Sequence, residues 1–197
     1  LDAETMRDSM LAVSGELNPT MSGSSFYPRM SAEAMEGLSR KSGAWSESSR
    51  EERMRRSIYM MTKRSRLLPL MTALDFTETT SSCAQRYVTT VVPQALALLN
   101  NQFVHARSNA MAKRLLTERG ESPERIRQAW RLSFGRDPSQ GELALAMTHL
   151  REQETHFSRL HGASSGETRQ EVNDPANMAL ASLCHVLLNS NEFIYID

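Results

Sequence analysis

The run from Val91 to Leu116 constrains this chain more than any other stretch. Pro93 stands where proline suits a helix, in the first turn, where its missing N–H would have had no intrahelical partner. Leu96, Leu99, Phe103, Ala106 and Ala110 follow at three- and four-residue steps, which puts them on one helical face. Every residue from 95 to 99 is apolar, so that end offers no side suited to water and is expected to be buried. Residues 93–118 therefore read as a central helix, with Leu99 and Phe103 almost fully enclosed.

Helix signals recur on both sides. Asp2 is a plausible N-cap for a helix over 3–14, with Met6, Met10 and Val13 facing inward and Gly15 just past its end. Residues 16–28 have loop composition, 31–38 suggest one short helix, and Trp45 sits in a further loop, where it is expected to plug the edge of the core. Pro69 interrupts a short helix or turn over 67–76. Ser122 and Pro123 open a helix that Gly135 closes, and Ser139 with Glu142 forms a capping box for the next, running to about Leu160. These two helices read as an αα-hairpin. Residues 140–150 hold no Lys or Arg, so the pair lacks a basic, base-reading helix. After a loop over 161–173, Asp174 and Pro175 open a last helix with Met178, Ala181, Cys184, Leu187 and Leu188 inward.

Strand character is confined to two short segments, Ile58–Met61 and the tail Phe193–Ile196, which are expected to pair because a lone strand leaves its N–H and C=O groups unmet. Seven basic and two acidic residues fall between 50 and 66. Such a run could hold phosphate or carboxylate groups, but a solvated edge that ion-pairs within its own domain is the favoured reading.

The search for chemistry excludes more than it finds. No phosphate-cradling glycine loop, no Gly-x-Ser-x-Gly elbow and no Cys-x-x-Cys-His motif occurs. His149 and His156 lie two turns apart on one helix, too far to share an ion without a third element. Cys184 and His185 are adjacent on a helix and point about 100° apart, so they cannot act directly as nucleophile and base. Thr89, Thr90, Gln94, Asn100 and Asn101 sit among apolar residues and are expected to fix the entry of the central helix, with a polar site near Arg86 and Thr89 as the functional alternative. If the chain is part of an enzyme, Arg56, Arg64, Asp75, Arg86 and His185 are the residues expected to gather in one cleft.

With 23 basic and 23 acidic residues in 197, the chain lacks the long-range field that draws a protein onto nucleic acid. No apolar window is long enough to span a bilayer. Cys83 and Cys184 are expected to be free thiols, Cys184 buried, although an oxidising compartment would permit a bond. The chain opens on Leu1 without a leader and reads as a piece of something longer.

Several runs together carry a family likeness: Leu1–Glu4 with Arg7-Asp8; Arg55–Tyr59 with Lys63–Ser65; Ser82-Cys83 with Arg86; Thr89-Thr90; Pro93–Leu96 and Leu98–Asn100; Arg131-Leu132 with Gly135-Arg136 and Pro138; and Leu183–Phe193. On these the chain resembles domain-of-unknown-function family 1553, a planctomycete-type domain of large proteins that often also carry cytochrome c-like segments. The resemblance implies an exported, multidomain setting (periplasmic or extracytoplasmic) and no established reaction. It implies no haem here, because the haem motif is missing from these residues.

The expectation is thus one all-α domain over 1–197, with five or six helices packed around residues 93–118 and at most a small two-stranded β element. No cofactor or metal is expected. The expected partners are upstream domains of the same polypeptide, and a protein partner is possible. The expected role is that of a non-catalytic structural or interaction module. The alternative is part of an enzyme, a hydrolase acting on glycans, completed by upstream residues. A weaker third reading is anion or nucleic-acid binding through 50–66.

Overall fold

A computed structural model describes residues 1–30, 45–63, 67–77, 82–86, 89, 91–117, 120–162 and 174–195. The expected helix over 31–38 and Arg64 lie outside these residues, and of the loop expected over 161–173 only 161 and 162 are described, where they end a helix instead. Among the described residues the fold is all-α, with β-type pairing limited to isolated bridges such as the parallel ones of Asn18 with Arg55 and Phe26 with Met60. The helices are α1 (Ala3–Ser14), α2 (Arg50–Arg53), α3 (Pro69–Ala73), α4 (Val92–Asn100), α5 (Gln102–Thr117), α6 (Ser122–Phe134), α7 (Gln140–Gly162), α8 (Pro175–Leu188) and α9 (Asn191–Ile194). The chain divides into two compact units, residues 1–12 with 16–98 and residues 13–15 with 99–197.

The first unit is built on α1. Asp2 Oδ1 accepts the Thr5 N–H at 2.9 Å, capping the helix as its sequence predicts. Ala3, Met6, Met10 and Leu11 are buried, together with Phe26, Leu70 and Met71. Arg7 shares this interior at 6% exposure, and its donors are all directed at acceptors. Nη1 donates to the Arg55 carbonyl (3.0 Å), Ser57 Oγ (3.0 Å) and Asp8 Oδ1 (3.2 Å), and Nη2 donates to the Arg53 carbonyl. Asp8 in turn accepts the Ser57 N–H at 2.8 Å and its hydroxyl at 2.7 Å.

These bonds explain why the expected strand does not form. With its N–H taken by Asp8, Ser57 starts a 3-10 turn, Ser57–Tyr59, and Ile58 points out at 77% exposure. Only one rung of pairing survives, the Tyr59 carbonyl accepting from Phe26 N–H and the Phe26 carbonyl from Met61 N–H. The tail, described as far as Tyr195, is not extended at Phe193 either. Ser190 accepts from the Phe193 N–H and caps α9, so Phe193 is helical and buried. Pro69, expected to interrupt its segment, instead opens α3 from the first turn, the position where a proline costs least.

The second unit is organised by α8, which packs against α5 and α7, and more lightly against α6 and α9. Ala179, Leu180, Leu183, Cys184, Leu187 and Leu188 face its interior, opposite Val104, Met111, Ala112 and Leu115 of α5 and Ile126, Ala129 and Trp130 of α6. Gly15 (φ 76°) belongs here. A Cβ at that position would lie 3.2 Å from Arg114 Cδ, while Arg114 Nη1 donates to the Val13 carbonyl, so the left-handed turn and the close approach both favour glycine. Gly135 ends α6 in the left-handed conformation, Glu121 rather than Ser122 stands at its N-cap, and the Ser139–Glu142 box opens α7 as expected.

The central helix is the main correction. It breaks at Asn101, whose Oδ1 accepts the Phe103 N–H at 2.8 Å and starts α5 afresh. Asparagine competes for backbone groups through its side chain and so favours caps over helix interiors. The break resets the phase. Leu99 is 44% exposed and Phe103 only half-buried, and the buried face passes instead to Val104, Ser108, Met111 and Leu115. On α4 only Leu98 is buried.

Leu115→Ala, at a fully enclosed site, is expected to cost about 2–5 kcal/mol. Arg7→Ala should cost about 1–3 kcal/mol by leaving the Arg53 and Arg55 carbonyls without their donor. Leu99→Ala should cost no more than about 0.5 kcal/mol. Urea unfolding of the three variants checks this ordering, and a Leu99→Ala loss matching that of Leu115→Ala would contradict it.

Candidate functional site

Three arginines of the basic run ion-pair within their own unit. Arg50 reaches Glu16, Arg53 reaches Glu47 at 2.8 Å, and Arg56 lies 4.0 Å from Asp8. Arg55 is buried, and its guanidinium donates to the carbonyls of Thr20, Ser22 and Ser24 and stacks 4.0 Å over the Tyr59 ring. Trp45 donates its indole N–H to the Pro28 carbonyl and meets the edge of Tyr27, with the Lys63 ammonium 5.3 Å from its ring. Arg50, Arg53 and Arg56 thus ion-pair as that reading expects, Arg55 is buried rather than solvated, and Arg64 and Arg66 lie outside the described residues.

The described candidates for a cleft each have a setting of their own. Arg86 forms a two-pronged pair with Glu4, at 2.8 and 2.9 Å, and lies over Phe76. Asp75, held in the left-handed region at φ 58°, accepts the Thr89 N–H (2.7 Å), the Thr89 hydroxyl (2.7 Å) and Gln94 Nε2 (3.0 Å). Those donors, the Thr89 hydroxyl foremost, hold its carboxyl below the ordinary range. Gln94 also accepts the Val91 N–H at 3.3 Å, so Thr89 and Gln94 fix the entry of α4 as their sequence setting suggests. Arg56, Asp75 and Arg86 belong to the first unit and His185 to the second.

His185 lies half-buried on α8 and stacks on His105 of α5, ring centroids 4.2 Å apart and planes 14° from parallel. Burial, then the neighbouring His105, lowers its pKa, and only the Leu99 carbonyl acts in the other direction. Beside it, burial pushes the Cys184 thiol up to about 12. Cys83 is exposed, and both cysteines are free thiols. Sequence reasoning missed His105, because nothing local marks a residue whose partner lies most of a domain away.

At the α6–α7 corner Arg136 bridges Glu142 of the capping box (2.6 Å) and Glu192 of α9 (2.6 Å). Arg136 foremost, then the Ser139 N–H, holds Glu142 well below the usual carboxylate range. Among the described residues, no group of three or more His, Cys, Asp and Glu side chains could hold a metal ion, and no helix is long and apolar enough to cross a membrane.

Fold and side chains together define an all-α protein whose described charged residues largely cap helices and tie segments together. The chain belongs to the family described as PSD1, protein of unknown function (DUF1553), whose profile matches residues 1–150. No curated protein and no solved structure matches it. The Leu183–Phe193 run that contributes to the resemblance lies beyond the matched residues.

Two predictions follow from these environments. Ellman's reagent should titrate one thiol, Cys83, in the native protein and a second only after denaturation, because a buried thiol with a raised pKa supplies no thiolate. Glu142→Gln should lower stability by about 0.5–1 kcal/mol at neutral pH through the weakened cap and ion pair. Since the folded-state pKa of Glu142 is depressed, its contribution is complete above the unfolded value and is lost as pH falls through the folded one. Thermal melts should therefore show the gap between variant and wild type closing in strong acid, and a constant gap would refute the assignment.

Proposed function

We propose that the chain is a non-catalytic helical module of a larger exported protein, working by packing and interaction. The observation that carries this reading is α4. Val92 (73% exposed), Leu96 (53%) and Leu99 (44%) recur at i, i+4 and i+7, an apolar ridge on one helical face. Exposed leucine and valine in a row, on a helix whose one polar entry network is already bonded, suit contact with another protein surface. The family membership supplies no reaction that would compete with this reading, and the exported, multidomain setting rests on the resemblance set out above.

The test is carbene footprinting of residues 91–99 in the 197-residue chain and in the longer polypeptide. Labelling at Val92 and Leu96 should fall severalfold in the longer protein, and Val92→Lys with Leu96→Lys should restore it without unfolding the module. Equal labelling in both would reject the reading. Release of reducing sugar from polysaccharide by the longer protein, lost in Asp75→Asn, would replace it with the hydrolytic one.

A further inference from the structure

The His105–His185 stack joins two titratable side chains of the second unit whose protonation opposes the packing that holds them. His185 Nε2 is enclosed and has no hydrogen-bond partner, so a proton placed there gains little in return for its lost hydration. The parallel stack at 4.2 Å suits two neutral rings, whereas two imidazolium rings at that distance repel. The rings come from α5 and α8, which form one of the main seams of this unit.

The surroundings offer little to offset a new charge. From α5 the titratable group facing His185 is His105 itself, while the buried Arg107 of that helix lies over the Phe103 ring. From α7, His149 approaches α8 at Ser182 Oγ, 3.2 Å away. Arg131 of α6 is paired with Asp137, and Glu192 of α9 with Arg136. On α8 itself, Cys184 remains a neutral thiol at any pH where histidine titrates. The carbonyl of Leu99, at the end of α4, is the acceptor on the side of the charged ring.

We propose that the stacked pair is an acid-sensitive latch on the α5–α8 seam, closed when both rings are neutral and loosened when they gain protons. A histidine that is harder to protonate in the folded state gives stability that is complete above the unfolded pKa of about 6.5 and is lost as pH falls below it. The latch is thus closed at neutral pH and opens in mild acid.

The experiment is an NMR titration of the ring protons of the whole chain, with melting curves of wild type and His105→Phe between pH 7.5 and 5.0. His185 should titrate below the ordinary midpoint of about 6.5. His105→Phe keeps an aromatic stack but removes the like charge, and should recover roughly 2–4 °C of the fall in melting temperature that acid produces in wild type. An ordinary or raised His185 midpoint would overturn the proposal, as would parallel acid-induced falls in the two proteins. The wild-type titration decides the matter even if the variant does not fold.

Discussion

A guanidinium taken out of water must find acceptors for its donors, and in the first unit this requirement on Arg7 sets much of the rest. Its acceptors are backbone carbonyls and a hydroxyl from residues 53–57, far along the chain from α1. Asp8, beside it, takes the N–H and hydroxyl of Ser57. Two adjacent side chains on one helix thereby pin a remote segment by its backbone, and the segment loses the free N–H groups that a strand would need. Arg55 repeats the device by collecting three carbonyls from the loop between residues 20 and 24. Arginine-to-carbonyl bonds here do the work of a sheet, satisfying irregular backbone without a ladder.

The second unit solves the same accounting differently. Its backbone is satisfied within long helices, and α8 supplies a nearly continuous apolar face against α5 and α7. Ion pairs gather at the helix ends. Arg136 joins the capping box of α7 to α9, and Arg131 pairs with Asp137 across the turn. Pairs this exposed contribute little each, but they specify where the turn and the short terminal helix sit. The His105–His185 stack is a different kind of contact between helices, an exposed ring of α5 lying flat on a half-buried ring of α8.

For function, the consequence lies in what the polar groups are already doing. Asp75, Arg86 and Glu142 have depressed or raised pKa values, yet each shift is caused chiefly by a partner that also closes a loop or caps a helix. Perturbed titration marks active sites only when the perturbing geometry leaves a reacting atom accessible, and structural ion pairs perturb it just as well. The exposed surface of α4, with Val92, Leu96 and Leu99 on one face, offers apolar contact instead, and the proposed interaction role rests on it.

Much of the local structure was legible in the residues. The cap at Asp2, the turn at Gly135, the Ser139–Glu142 box, the helix opened by Pro175 and the inward course of Cys184, Leu187 and Leu188 all follow from rules that span one helical turn. The all-α class follows from their sum. Periodicity could not say what covers a face, so the apolar run at 95–99 suggested burial where Leu96 and Leu99 are exposed, and Asn101 broke a helix that the pattern alone would continue. Strand propensity at Ile58–Met61 was real but local, and Asp8, from a different helix, overrode it. The stack of His105 on His185 and the burial of Arg7 likewise depend on residues distant in sequence. Capping and turn energies are properties of neighbouring residues and can be read along the chain; burial, pairing and titration depend on what packs alongside, and they take shape only when distant helices meet.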